Sequence, residues 1–383
     1  MKTTFGTALL AAGVGLAFAA TGALAQIKIG VNQPLTGPVA ASGNFVVNGA
    51  RIAADEINAK GGILGQKIQL VIEDNKSNPT EAVAAAEKLI VRDKVPVMMG
   101  AWSSTYTLAV MPKLMEYKVP MLVETSSSDK ITVSGNPYIF RISPTSGMEA
   151  EAFANRVGAL KIRKADFLVV NNDWGKGAAD VFAKMLKGKG IAIGVVETMD
   201  ASAQDMNAQL SKIRSSDADT LFVTTAVEQL TLVLRQAHAL GLKRQIITTG
   251  GSQSPDQLIE QAGAAANGSY HLLFFPPWFP EASPNPALAK SFVAEWRKRG
   301  HTFAGLTEGF RGYDGIQTLA AAITKAGKAD SEAIRKALWE TQITGLNGKI
   351  AFTKAGPAGK ESGQSVPAVY VVKIDNGKVA LFK

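Results

Sequence analysis

VPVMMGAWSSTYTLAVMP runs from Val95 to Pro112, and the fold is read from it outward. The apolar run Val95–Met99 has the length of a buried strand and ends at Gly100. Two serines, Ser103 and Ser104, then open a segment with helical apolar spacing. Strand, glycine, polar turn and helix make the unit of parallel α/β sheets. The serines admit two explanations. As ordinary caps, they accept from the free N–H groups of the first helical turn. As a site, they stand at a helix N-terminus, whose spare donors and positive dipole end suit an anion. These residues by themselves leave both open.

The same unit recurs in both directions. "QIKIGVN" precedes a helical pattern at Asn48–Lys60, where Ala50, Ala53 and Ile57 share one face. "KIQLVIED" precedes "PTEAVAAAEKLIVRD", with Pro79 at the helix start, and "VPMLVET" leads to Ser126–Ser128. The series then restarts: "ADFLVVNND", "IAIGVVETM", "DTLFVTT" and "RQIITTGG" are each followed by a helical pattern. Helical crossovers of this length imply parallel sheets covered on both faces. Two successive series imply an α/β protein of two doubly wound lobes. After "GSYHLLFFPPW" come three helical patterns, near Pro286–Arg299, Gly312–Ala326 and Ser331–Glu340, before "GKIAFT" and "VPAVYVVKID" supply more strands. A late helical block without a new parallel series is expected to pack back on the first lobe.

The first 25 residues, "MKTTFGTALLAAGVGLAFAATGALA", hold one early charge, Lys2, an apolar run and Ala23-Leu24-Ala25. They read as a cleaved export signal, with the mature chain starting at Gln26 and leaving the cytoplasm. The formal net charge of +9 is spread along the chain without a basic block. A nucleic-acid partner is therefore not expected. Cysteine is absent, which removes disulfides, thiol nucleophiles and cysteine metal sites.

Enzyme signatures are missing as well. There is no G-x-S-x-G, no H-E-x-x-H and no phosphate-binding G-x-x-x-x-G-K-[ST], and the three histidines, His238, His271 and His301, are far apart. The expectation is a protein that is not an enzyme and needs no cofactor or metal.

"PLTGPVAASGNFVVNGARIAADEINAKGGILGQKIQLVIEDNKSNPTEAVAAAEKLI" resembles the start of the leucine/isoleucine/valine-binding proteins, periplasmic solute receptors of ABC importers. "GAWSSTYTLAVMP", "TSSSDKIT", "FRISPT", "NNDWGKG", "LRQAHALGL" and "GYDGIQTLAAAITKAG" continue the likeness in the family's order. The resemblance implies a type I periplasmic binding fold, two lobes joined by three crossovers that close on a ligand. The implied bounds are residues 26–142 and 275–352 for lobe one, and 143–274 and 353–383 for lobe two. The crossings are then expected near Arg141–Thr145, Leu272–Phe275 and Ala351–Lys354. The implied partners are an inner-membrane ABC permease with its ATPases, served by a monomer. A ligand-sensing receptor on the same fold is the alternative.

The resemblance also places residues. Ser103 and Ser104 match cleft positions, as does the turn holding Ser126 and Ser127. Both stretches follow strands at the carboxyl edge, where open α/β sheets bind ligands. Trp174 stands where the family often has tyrosine, and Trp102 stands beside the serines. Ser42 and Phe45 follow the first-strand loop, where the family often contributes a cleft wall. Phe274, Phe275 and Trp278 are expected to pack at a crossing.

Two positions depart from the amino-acid binders. Gly250 falls about where they place an acid for the α-ammonium, and Ala226 lies in a segment that lacks their aromatic. Asp173, Glu228 and Glu124 are the candidate replacements for the acid. The expected ligand is a small carboxylate, an amino acid or an aromatic or other organic acid without an ammonium. The departures favour the flat aromatic acid.

Overall fold

The computed structural model describes residues 26–382, so the expected export signal lies outside the described residues. The first series is β1 (Ile27–Gln33), α1 (Ala40–Ala59), β2 (Ile68–Asp74), α2 (Pro79–Glu87), β3 (Met98–Gly100), α3 (Ser104–Tyr117), β4 (Met121–Val123), α4 (Lys130–Val133) and β5 (Ile139–Arg141). The second is α5 (Ser146–Ala154), β6 (Lys164–Val170), α6 (Asp173–Gly188), β7 (Ala192–Met199), α7 (Asn207–Ser215), β8 (Thr220–Thr224), α8 (Val227–Ala239), β9 (Gln245–Thr248), α9 (Pro255–Ala262) and β10 (Tyr270–Leu273). Three helices follow, α10 (Pro286–Lys298), α11 (Leu306–Ala326) and α12 (Ser331–Glu340). Six short strands end the chain: β11 (Gln342–Gly345), β12 (Gly348–Ala351), β13 (Thr353–Ala355), β14 (Ser362–Gln364), β15 (Tyr370–Asp375) and β16 (Lys378–Leu381).

Two seven-stranded sheets result, β13-β14-β5-β4-β3-β1-β2 and β16-β15-β10-β9-β8-β6-β7, with β11 and β12 as a separate hairpin. The central strands are parallel, and only the returning edge strands run antiparallel. Each sheet is doubly wound.

One expected boundary is corrected. β13 pairs with β14, and β14 pairs with β5 in the first sheet. Residues 353–364 therefore belong to lobe one, and the third crossing lies between Gln364 and Tyr370, not at Ala351–Lys354. The strand pattern of "GKIAFT" hid this, because a short hairpin returns to the same sheet before the chain leaves it.

The late helices pack on lobe one. α11 lies along α1 so closely that a Cβ on Gly49 would sit 1.7 Å from the Gly309 carbonyl oxygen, and one on Gly312 1.9 Å from that of Val46. Both helices begin before the patterns at Asn48 and Gly312. α1 opens on the small residues Ala40-Ala41-Ser42-Gly43, which carry no apolar stripe to read, and in the first turn of α11 Thr307, Glu308 and Gly309 separate Leu306 from Phe310. Around this contact Ile29, Val31, Ile316, Leu319 and Ile323 form the lobe-one core. No helix among the described residues is long and apolar enough to cross a membrane.

Candidate functional site

The loops after β3, β4, β6 and β9 meet between the lobes. Between them lies a narrow, partly open pocket lined by Trp102, Ser103, Ser104, Thr125, Ser126, Ser127, Trp174, Gly250 and Ser252. No charged side chain is among these residues. All four loops leave the carboxyl ends of parallel strands, where backbone N–H groups and helix N-termini converge.

Gly100 makes the exit from β3 possible: a Cβ there would meet the Asn32 carbonyl oxygen at 2.5 Å. Trp102 follows with a left-handed φ of 68°, a conformation that costs a non-glycine residue about 1–2 kcal/mol. Its Nε1 lies 3.4 Å from Glu308 Oε2. Ser103 occupies the N-cap position of α3, yet its side chain makes no capping bond. Its hydroxyl therefore has no capping duty.

The other serines have different work. Ser104 Oγ accepts from the Ser128 N–H at 3.1 Å and keeps its own proton to donate. Ser126 Oγ is committed to structure: it lies 2.9 Å from the Trp102 carbonyl, as donor, and 2.7 Å from Thr107 Oγ1. Ser126 thus lines the pocket with its hydroxyl already used. Ser127 holds α5, its carbonyl accepting from the Ser146 N–H at 2.7 Å.

Lobe two contributes Trp174 and Gly250, which are in direct contact. A Cβ on Gly250 would lie 2.3 Å from Trp174 Cζ2, and Gly250 has a φ of 91°. The indole N–H of Trp174 is buried and has no partner in the protein. The Gly250 N–H donates to Glu149 Oε1 at 2.6 Å. Glu149 is wholly buried; burial pushes its carboxyl up to about 8, against the opposing pull of this bond and of Arg311. Sequence reasoning missed Glu149 and Ser252, while Thr125 lies in the turn expected at the cleft. Glu149 lies one helical turn into α5, distant in sequence from every pocket loop, and no motif marks it.

Asp173, Glu228 and Glu124 do not line this pocket. Asp173 accepts from Thr105 Oγ1 across the lobes at 3.0 Å and faces Lys130 at 3.6 Å. Glu124 accepts from Gln33 at 2.8 Å, and burial raises its carboxyl to about 7. Glu228, at the start of α8, faces the Ser42 amide of α1 and the Glu308 carboxyl of α11. Burial, and after it Glu308, pushes Glu228 up to about 7. Further interlobe contacts are Arg311 Nη2 to the Gly251 carbonyl at 2.8 Å and Ser254 Oγ to that of Ala304 at 2.8 Å. Glu308 pairs with Arg311 at 3.0 Å.

Three expected ligand-binding residues lie elsewhere. Ser42 is buried in α1 with its hydroxyl unpartnered; its backbone amide faces Glu228, and it does not line the pocket. Phe45 packs on Trp296, ring centroids 6.5 Å apart. Ala226 precedes α8 and joins the lobe-one core cluster. Residue type gave no warning, because a helix that starts at Ala40 turns Phe45 towards α10. Phe274 and Phe275 are core, as expected for a crossing, and Trp278 donates to Asp256 at 2.9 Å.

Residues 26–378 match the family described as periplasmic binding protein. The Leu/Ile/Val-binding protein BraC3 of Rhizobium johnstonii is 33% identical over 352 residues, 91% of this chain and 92% of that one. The branched-chain amino acid transporter substrate binding protein LivJ of Streptococcus pneumoniae, solved with isoleucine, is 28% identical with a TM-score of 0.81; the match covers 93% of this chain and 99% of that one. A solute binding protein of an ABC transporter from Rhodopseudomonas palustris, solved with 3,4-dihydroxy benzoic acid, is 25% identical with a TM-score of 0.81, covering 93% and 96%.

Proposed function

The chain belongs to the periplasmic binding protein family, whose members bind solutes and are not enzymes, and from that premise we propose that it captures a flat aromatic acid between its lobes and delivers it to an ABC permease from the periplasm. The carboxylate is held by the Ser103 and Ser104 hydroxyls and the α3 N-terminus. The ring lies against Trp174. One observation carries the choice of ligand: the Trp174 indole fills the space a side chain at Gly250 would need. An ammonium brought there without a carboxylate would be desolvated at high cost.

An α-amino acid is the second reading, favoured by Glu149, whose carboxyl sits directly behind Gly250. Burial keeps that carboxyl largely protonated at neutral pH, which weakens it as an ammonium partner. A thermal-shift screen of the mature protein against amino acids and benzoate- and cinnamate-like acids separates the two. Ligand at 100 times its Kd adds about 2.7 kcal/mol. Stabilisation by aromatic acids supports the proposal; stabilisation by aliphatic amino acids alone rejects it.

A further inference from the structure

A pocket without a charged side chain is asked to hold an anion, and a buried cation stands directly behind its wall. Arg141 ends β5 and is wholly buried. Its Nε donates to Gln364 Oε1 at 2.6 Å and its Nη2 to Thr132 Oγ1 at 2.6 Å. Its Nη1 donates to the carbonyls of Ser128 at 2.7 Å and Ser126 at 3.1 Å. Every one of these acceptors is neutral. The acid that acts on the guanidinium is Asp129, whose carboxylate accepts from the Gly147 N–H at 3.2 Å. Burial pulls the guanidinium down to about 9, so at neutral pH it remains a cation, destabilised by its surroundings.

The peptide between Ser126 and Ser127 connects this charge to the pocket. A trans peptide points its C=O and N–H in opposite directions. With the guanidinium on the Ser126 carbonyl, the Ser127 N–H points away from the cation, and Ser127 lines the pocket. A buried charge also acts through a medium of low dielectric, where its field is weakly screened.

We propose that Arg141 is the countercharge of the bound carboxylate, acting from behind the Ser126–Ser127 peptide and not by contact. It is a positioning residue that also supplies the field, and the inference rests on the reading of the ligand as a carboxylate. It gives this uncharged pocket its preference for anions. It also assigns the four neutral acceptors a purpose: a carboxylate among them would cancel the charge.

Arg141→Gln removes the charge but also five-donor packing in the core, so a cleaner pair is Thr132→Asp against Thr132→Asn. The two replacements are nearly isosteric, and both offer Arg141 Nη2 an oxygen; only the first neutralises the guanidinium. Calorimetry at neutral pH uses 3,4-dihydroxybenzoate and isoleucine as probes, after melting curves establish that both variants fold. Thr132→Asp is expected to bind the wild-type ligand about 10- to 100-fold more weakly than Thr132→Asn does. A purely structural role would weaken both alike, and equal affinities overturn the proposal. A wild-type protein that binds neither carboxylate overturns the carboxylate reading and this inference with it, whereas wild-type binding with equal variants overturns the inference alone.

Discussion

Gly250 lies against the indole of Trp174 with room for no side chain: a Cβ would be 2.3 Å from Cζ2. The glycine and the tryptophan are therefore one feature, and the acid expected at this position of an amino-acid binder has no space. Gly250→Asp should displace the indole and add the strain of a φ of 91°. Expected are a lower Tm, altered tryptophan fluorescence and at least about tenfold weaker binding of the aromatic ligand. Retained affinity with a gain in leucine binding would mean that Trp174 is dispensable.

Trp174→Ala removes the ring face itself. Loss of a large buried apolar contact is worth about 1.5–3 kcal/mol, roughly 10- to 150-fold in Kd. Titration of the folded variant checks this. A change below about threefold would place the ligand away from Trp174.

The serines should separate by the work their hydroxyls do. Ser103 makes no cap bond, so Ser103→Ala should weaken binding with little effect on Tm. Ser103→Ala with Ser104→Ala should cost about 2–5 kcal/mol of binding, about 30-fold to several thousand-fold. Ser126→Ala should do the reverse, lowering Tm through the lost Trp102 and Thr107 bonds more than it weakens binding. Matching Kd values for wild type and the double variant would reduce Ser103 and Ser104 to helix-start residues.

How much of this was legible follows from where each signal resides. The strand–helix alternation is periodic, and the loops after β3, β4, β6 and β9 inherit their position from it, but it is the family resemblance that places Ser103, Ser126, Trp174 and Gly250 at the cleft. Ser42 and Phe45 could not be placed correctly, because the small residues at the start of α1 conceal a helical turn. Glu149 and Arg141 act through tertiary contacts, with Gly250 and with Ser126. Neither contact leaves a local pattern. The third crossing was misplaced for a similar reason: β13 and β14 are three residues each, too short to reveal which sheet they join.

Closure should take up protons. Glu228 of lobe two faces Ser42 and Glu308 of lobe one, and burial there raises its carboxyl to about 7. Opening returns it to water and an ordinary carboxylate value. A raised acid binds more protons in the closed state, so closure is favoured as pH falls through about 7 and opposed above it. Kd should therefore rise with pH from the ordinary carboxylate range up to about 7, by up to about tenfold per unit for each proton linked, and level off above it. Glu228→Gln should flatten the profile. Calorimetry in buffers spanning that range checks it, and a flat wild-type profile would contradict the linkage.

The central claim is that the pocket takes a carboxylate with an aromatic ring and needs no α-ammonium. Calorimetric titration of the mature protein with leucine, isoleucine, benzoate, 3,4-dihydroxybenzoate and cinnamate tests it most directly. The account predicts saturable binding of at least one aromatic acid and no comparable heat from either amino acid. Micromolar leucine or isoleucine binding, with no response to any aromatic acid, would contradict it.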